Sequence, residues 1–194
     1  MEHFKEVPDV NRLIISPLYL REGLEFAKNQ GYNDILISTD DIGISGVSCK
    51  HTLNVSLICE YDFIETLIIS GYDFTIEPCN LNQLSVLPHL KKLGLWIDKV
   101  FTIDFSLFPK LEELKYYHTK QTENVDTLIN LKRLHIYNLK SEDLKELKSM
   151  NVSKTTPIML HSYTILTLVT LFIYVRYWLE RSIVRCYLSL LLTY

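Results

Sequence analysis

One pattern constrains this chain more than any other: an apolar residue, two variable residues, a second apolar residue, one variable residue and a third apolar residue. It reads Ile64-x-x-Leu67-x-Ile69, Leu90-x-x-Leu93-x-Leu95, Leu111-x-x-Leu114-x-Tyr116 and Leu131-x-x-Leu134-x-Ile136, with steps of 26, 21 and 20 residues between first positions. A weaker copy stands earlier, at Tyr32-x-x-Ile35-x-Ile37. The alternation at the last two apolar positions is a strand signal, because successive strand side chains point to opposite faces. From Leu90 onward each strand follows an apolar series at three-residue spacing: Leu84, Leu87 and Leu90, then Phe105, Phe108 and Leu111, then Val125, Leu128 and Leu131. That spacing predicts a short helical or 3₁₀ segment packed back onto the strand. A unit of this size cannot bury its own apolar face, so copies must stack.

These residues resemble the leucine-rich repeat family, over residues 32–152 and most strongly over 64–137. The resemblance implies an α/β solenoid with a parallel sheet on its concave face. It also implies an Asn or Cys three residues beyond the last apolar position, bonding the turn backbone. Those positions hold Tyr72, Asp98, Thr119 and Leu139, so the polar ladder under the turns is expected to be absent or irregular. Residues 1–31 read as an amino-terminal cap. Arg12–Ile15 forms a strand, Ser16 caps a helix and Pro17 takes its first position. Leu20, Leu24 and Ala27 continue that helix at helical spacing, Phe26 sits beside them, and Gly31 ends it.

Composition narrows the function. The chain has 194 residues, enough for one domain with a real core. Its 32 leucines beside a single alanine, Ala27, argue against a helical bundle, since alanine is the best helix former. The formal charge of −3 argues against a general nucleic-acid binder. Cys49, Cys59, Cys79 and Cys186 form no C-x-x-C pair, and the first residues lack a basic and apolar leader. Reduced, buried thiols and a cytoplasmic location are expected.

Candidate chemistry is sparse. His3, His51, His89, His118, His135 and His161 stand at no metal-ligand spacing. Asp40 and Asp41 read as an acidic turn. Gly43-Ile44-Ser45-Gly46 lacks the Lys-Ser/Thr of a phosphate loop. Residues 140–148, capped by Ser141 with Leu144 and Leu147 as apolar face, read as a solvated helix. No enzyme, catalytic residue, cofactor or metal is expected.

The strands' variable positions are more informative. Lys92, Glu113 and Arg133 precede the second apolar position, and Gly94, Lys115 and His135 lie between the second and third. Trp96, Tyr117 and Tyr137 follow the third. Adjacent strands lie about 4.8 Å apart, which predicts a stacked ladder of Trp96, Tyr117 and Tyr137 on an exposed face. With Lys92, Lys115, Arg133 and His135 alongside, the face is aromatic and modestly basic. Aromatic and arginine side chains dominate interface energetics, so this surface predicts a protein or peptide partner and a non-catalytic interaction module.

The carboxyl-terminal part differs. Residues 1–156 hold 17 basic and 22 acidic residues, whereas 157–194 hold three Arg, one Glu and no Lys, Asp, Asn, Gln or Gly. Over residues 158–179 only His161 and Arg176 can carry charge near neutral pH, and about twenty apolar residues span a bilayer. The repeat is due again near residues 151–152 and fails there. The codons for residues 152–157, read one nucleotide forward, permit another copy. Three readings stay open for this hydrophobic tail. It is the out-of-frame end of a longer repeat protein, a soluble capping helix, or a single-pass membrane anchor with the repeats as ectodomain or spacer. A stack ending there leaves Leu134, Ile136 and Leu147 uncovered unless the tail covers them.

Overall fold

Eight strands form one sheet and lie in it in the order in which the chain makes them. The computed structural model describes residues 3–38, 51–71, 74–76, 80–97, 100–137 and 158–161. In chain order the elements are β1 (Phe4–Val7), β2 (Arg12–Ile15), helix α1 (Leu20–Gln30), β3 (Asp34–Ile37), β4 (His51–Leu53) and helix α2 (Val55–Ile58). Then come β5 (Thr66–Ser70), β6 (Phe74–Ile76), β7 (Lys92–Trp96), β8 (Ile103–Asp104), β9 (Glu113–Tyr117), β10 (Thr122–Glu123), β11 (Arg133–Tyr137) and β12 (Ile158–His161). The main sheet runs β1-β2-β3-β5-β7-β9-β11-β12. Only β1 is antiparallel to its neighbour; the other seven strands are parallel. Two short parallel pairs, β4 with β6 and β8 with β10, stand apart from it. The fold is therefore α/β with little helix.

The register explains why the apolar pattern governs. Leu13, Ile35, Leu67, Leu93, Leu114 and Leu134 form one row across the sheet, and Ile15, Ile37, Ile69, Leu95, Tyr116 and Ile136 form another. None of these twelve side chains is more than 1% exposed. Each contributes about 1.5–3 kcal/mol by leaving water. The opposite wall of the core comes from Leu20, Leu24 and Ala27 of α1 and from Val55 and Ile58 of α2. Leu84, Phe105 and Val125 complete it from 3₁₀ segments at Leu81–Val86, Phe105–Leu107 and Val125–Thr127. These are the segments that the three-residue spacing predicts.

A repeating backbone stitch joins the strands at their starts. The Asn33 carbonyl accepts from the N–H groups of Glu65 and Thr66 at 3.0 and 3.1 Å, and the Glu65 carbonyl from those of Lys91 and Lys92 at 2.9 and 3.1 Å. The Lys91 carbonyl accepts from Glu112 and Glu113, and the Glu112 carbonyl from Lys132 and Arg133. One carbonyl thus uses both its lone pairs, and two successive backbone N–H groups are satisfied at each of these four strand starts.

A short polar series stands at another place. Asn82 Oδ1 accepts from Asp104 N at 2.9 Å, and Asn124 Nδ2 donates to Asp104 Oδ1 at 2.9 Å. The three side chains stand just ahead of Leu84, Phe105 and Val125. Asp104 also caps its 3₁₀ turn by accepting from Ser106 N. The Ser106 hydroxyl, then Asn124, hold its carboxyl below the ordinary range. Of the positions first considered, Thr119 bonds the Phe101 carbonyl and Gln121 N; Tyr72, Asp98 and Leu139 lie outside the described residues.

At the amino terminus Ser16 Oγ accepts from Leu18 N, Pro17 opens a 3₁₀ turn that runs into α1, and Gly31 closes the helix at φ 78°. The strand β1, which the sequence pattern did not suggest, pairs outside β2. Gly23 allows α1 close to β2, since a Cβ there would lie 2.5 Å from Ile15 Cγ2.

The helix expected from Ile158 begins instead as a strand. Ile158–His161 pairs in parallel with Leu134–Tyr137, and Leu134 and Ile136 are fully buried. The strand arrives later than the repeat spacing predicts, since Leu134 pairs with Ile158, 24 residues on. Among the described residues no helix is long and apolar enough to cross a membrane. Residues 162–179, the rest of the tail, the 140–148 helix, Asp40, Asp41 and the Gly43–Gly46 segment lie outside the described residues.

Candidate functional site

The face of the sheet turned away from the core carries the candidate residues. Its first row runs Arg12, Asp34, Thr66, Lys92, Glu113 and Arg133. The second runs Ile14, Leu36, Ile68, Gly94, Lys115 and His135, and the third ends on Trp96, Tyr117 and Tyr137. All seven residues predicted from the sequence therefore share this one face.

Charge on that face is organised around Glu113, a residue that the column alignment displayed but the basic reading passed over. Its Oε1 lies 3.0 Å from Lys115 Nζ, and its Oε2 lies 2.6 Å from Arg133 Nη2. Arg133 is its cross-strand partner and Lys115 is two residues along the same strand. The Glu113 side chain is 11% exposed and that of Arg133 56%. Burial pushes the Glu113 carboxyl up, but the Lys115 and Arg133 cations outweigh it and hold it below the ordinary range. Two of the three predicted cations are therefore internally paired. Lys92 is exposed and has no ion pair among the described residues.

The aromatic ladder divides. Tyr117 and Tyr137 are cross-strand partners and stack, with ring centroids 5.4 Å apart and planes at 28°. Trp96 does not continue the stack. Pairing of β7 with β9 stops at Leu95 and Tyr116, and the Trp96 carbonyl accepts from Gly71 N at 2.9 Å. The indole packs with Ile14, Leu36 and Ile68 instead. Gly94 lets Ile68 lie close over the sheet: a Cβ at Gly94 would lie 3.1 Å from Ile68 Cγ1 and Cγ2. The Trp96 Nε1 atom is buried and has no hydrogen-bond partner among the described residues. His135 pairs in register with Lys115 on one side and Met159 on the other.

At the strand starts the same three strands carry a shallow depression of about 450 Å³ lined by Lys92, Glu112, Glu113, Lys132 and Arg133. Glu112 Oε2 lies 2.8 Å from Lys132 Nζ, and that contact holds its carboxyl low. Among the described residues no group of three His, Cys, Asp or Glu side chains could hold a metal ion. Cys59, the one described cysteine, is a half-buried free thiol rather than a buried one. It donates to the carbonyls of Val55 and Gln83, and burial pushes its pKa up.

No family model, curated protein or solved structure matches this chain.

Proposed function

We propose that this chain is a leucine-rich-repeat-like solenoid acting as a non-catalytic module, which binds a protein partner on the concave sheet face of β7, β9 and β11. The single observation behind this reading is the Tyr117–Tyr137 stack beside the Glu113-centred ion cluster. Half-exposed aromatic rings stand there on strands whose other side is fully packed. Such side chains are held in place before a partner arrives, which lowers the ordering cost of binding. Chain-order strands, matched register and the recurring carbonyl stitch support the solenoid.

The test is selection of binders from a random-peptide display library on the immobilised full chain. Enriched clones should bind a Tyr117→Ala/Tyr137→Ala variant about tenfold more weakly, with its thermal midpoint unchanged. Clones that bind both proteins equally, or no enriched clones, would overturn the reading.

A further inference from the structure

The charges along the strand starts do not balance. Lys91, Lys92, Lys110, Lys115, Lys132 and Arg133 stand against three carboxylates, Glu65, Glu112 and Glu113. Each carboxylate is already engaged: Glu65 with Lys91 at 3.0 Å, Glu112 with Lys132 at 2.8 Å, and Glu113 with both Lys115 and Arg133. Among the described residues Lys110 Nζ bonds the Pro88 carbonyl, at 3.2 Å, and Lys92 has no ion pair. The described part of the rim therefore holds an excess of positive charge on a chain whose formal charge is −3. Two depressions run together along it, sharing Glu112 and Lys132. A surface with a net excess of one sign attracts ligands of the other.

The aromatic pair lies at the far end of the same strands. Glu113 and Tyr117, like Arg133 and Tyr137, are four residues apart on one face, or about 13 Å at 3.3 Å per residue. An extended polypeptide laid along β9 and β11 covers that distance in about four residues of its own.

Building on the partner-binding reading above, we infer that the segment bound is acidic. Its carboxylates sit on Lys92 and Arg133 at the strand starts, and an apolar side chain about four residues away sits on Tyr117 and Tyr137. A long polyanion fits less well, because the chain as a whole carries a formal charge of −3.

Fluorescence anisotropy with the full chain tests this. One labelled probe carries a run of glutamates and, four residues on, a leucine–phenylalanine pair; a second replaces every glutamate by glutamine. The acidic probe should bind about tenfold more tightly, and raising salt from about 50 to about 300 mM should remove most of that advantage. Lys92→Gln with Arg133→Gln should remove it as well, and Lys92→Gln alone, at an exposed residue outside any ion pair, should remove part. Equal binding of both probes, still dependent on Tyr117 and Tyr137, would overturn the acidic inference and leave the partner-binding reading standing. Binding of neither probe would overturn the acidic inference. If heparin displaces the acidic probe and itself binds independently of the two tyrosines, the rim is a general polyanion site and the inference fails.

Discussion

The outer face of the sheet has two halves built on one backbone. Over β2, β3 and β5 it carries Ile14, Leu36 and Ile68, each no more than 9% exposed, with Val7 and Trp96 packed against them. Over β9 and β11 the equivalent positions are Lys115 and His135, flanked by the Glu113 cluster and the stacked tyrosines. Gly94 marks the boundary. The inner face does not change across it, since Leu67, Leu93 and Leu114 are equally buried. The inner face thus sets the architecture, and the outer face is free to be apolar and packed on one side and charged and aromatic on the other.

That contrast can be broken in several places. Leu114→Ala on the inner face should cost about 3 kcal/mol in chemical denaturation, while Lys115→Ala, its outward neighbour, should stay within about 0.5 kcal/mol. Equal losses would mean that the charged and aromatic half is structural too. Ile68→Ser should cost about 2 kcal/mol, because the amino-terminal half of the outer face is buried; a negligible loss would remove the distinction between halves.

Glu113→Gln should cost about 1 kcal/mol near neutral pH. The folded carboxyl is held low, so its stabilisation is complete above the ordinary carboxylate pKa, about 4.3, and is lost as pH falls through the lower folded value. The gap between variant and parent should therefore close between about pH 5 and pH 3 in thermal melts. A gap independent of pH would place the effect in packing rather than in the ion pairs. Gly94→Ala should have the smallest effect, about 0.5 kcal/mol, because Ile68 must give by a few tenths of an ångström. Chemical denaturation checks this, and a loss of about 2 kcal/mol would mean that Ile68 cannot give way.

Much of this organisation was legible in the sequence for a physical reason. Strand positions with one buried face must repeat their apolar residues, so Leu93, Leu114 and Leu134 announce the sheet and its register. Ser16, Pro17 and Gly31 announce the ends of the amino-terminal helical segment, because caps require particular side chains and dihedrals. The strands β8 and β10 were not legible, since two residues carry no periodicity. The edge strand β1 depends on pairing with β2 rather than on its own pattern. Glu113 stood in plain view in the aligned columns, but its dominance comes from its burial between two cations. The departure of Trp96 depends on where β7 and β9 stop pairing, which is a tertiary property. Tyr116, read only as an apolar repeat position, brings a hydroxyl into the core, where burial drives its pKa far above 10 against a smaller pull from Thr122.

The carbonyl stitch separates two jobs that most folds combine. Alignment of neighbouring strands is decided within two residues at each strand start, whatever the length of chain between them. Ile35 and Leu67 pair across 32 residues, and Leu114 and Leu134 across 20. Loop length is therefore a free variable of this architecture. Entropy charges little for lengthening such a loop, about 0.6 kcal/mol per doubling. The connections between strands can accept spliced sequence, by evolution or by an engineer, while the outer face of the sheet stays in register.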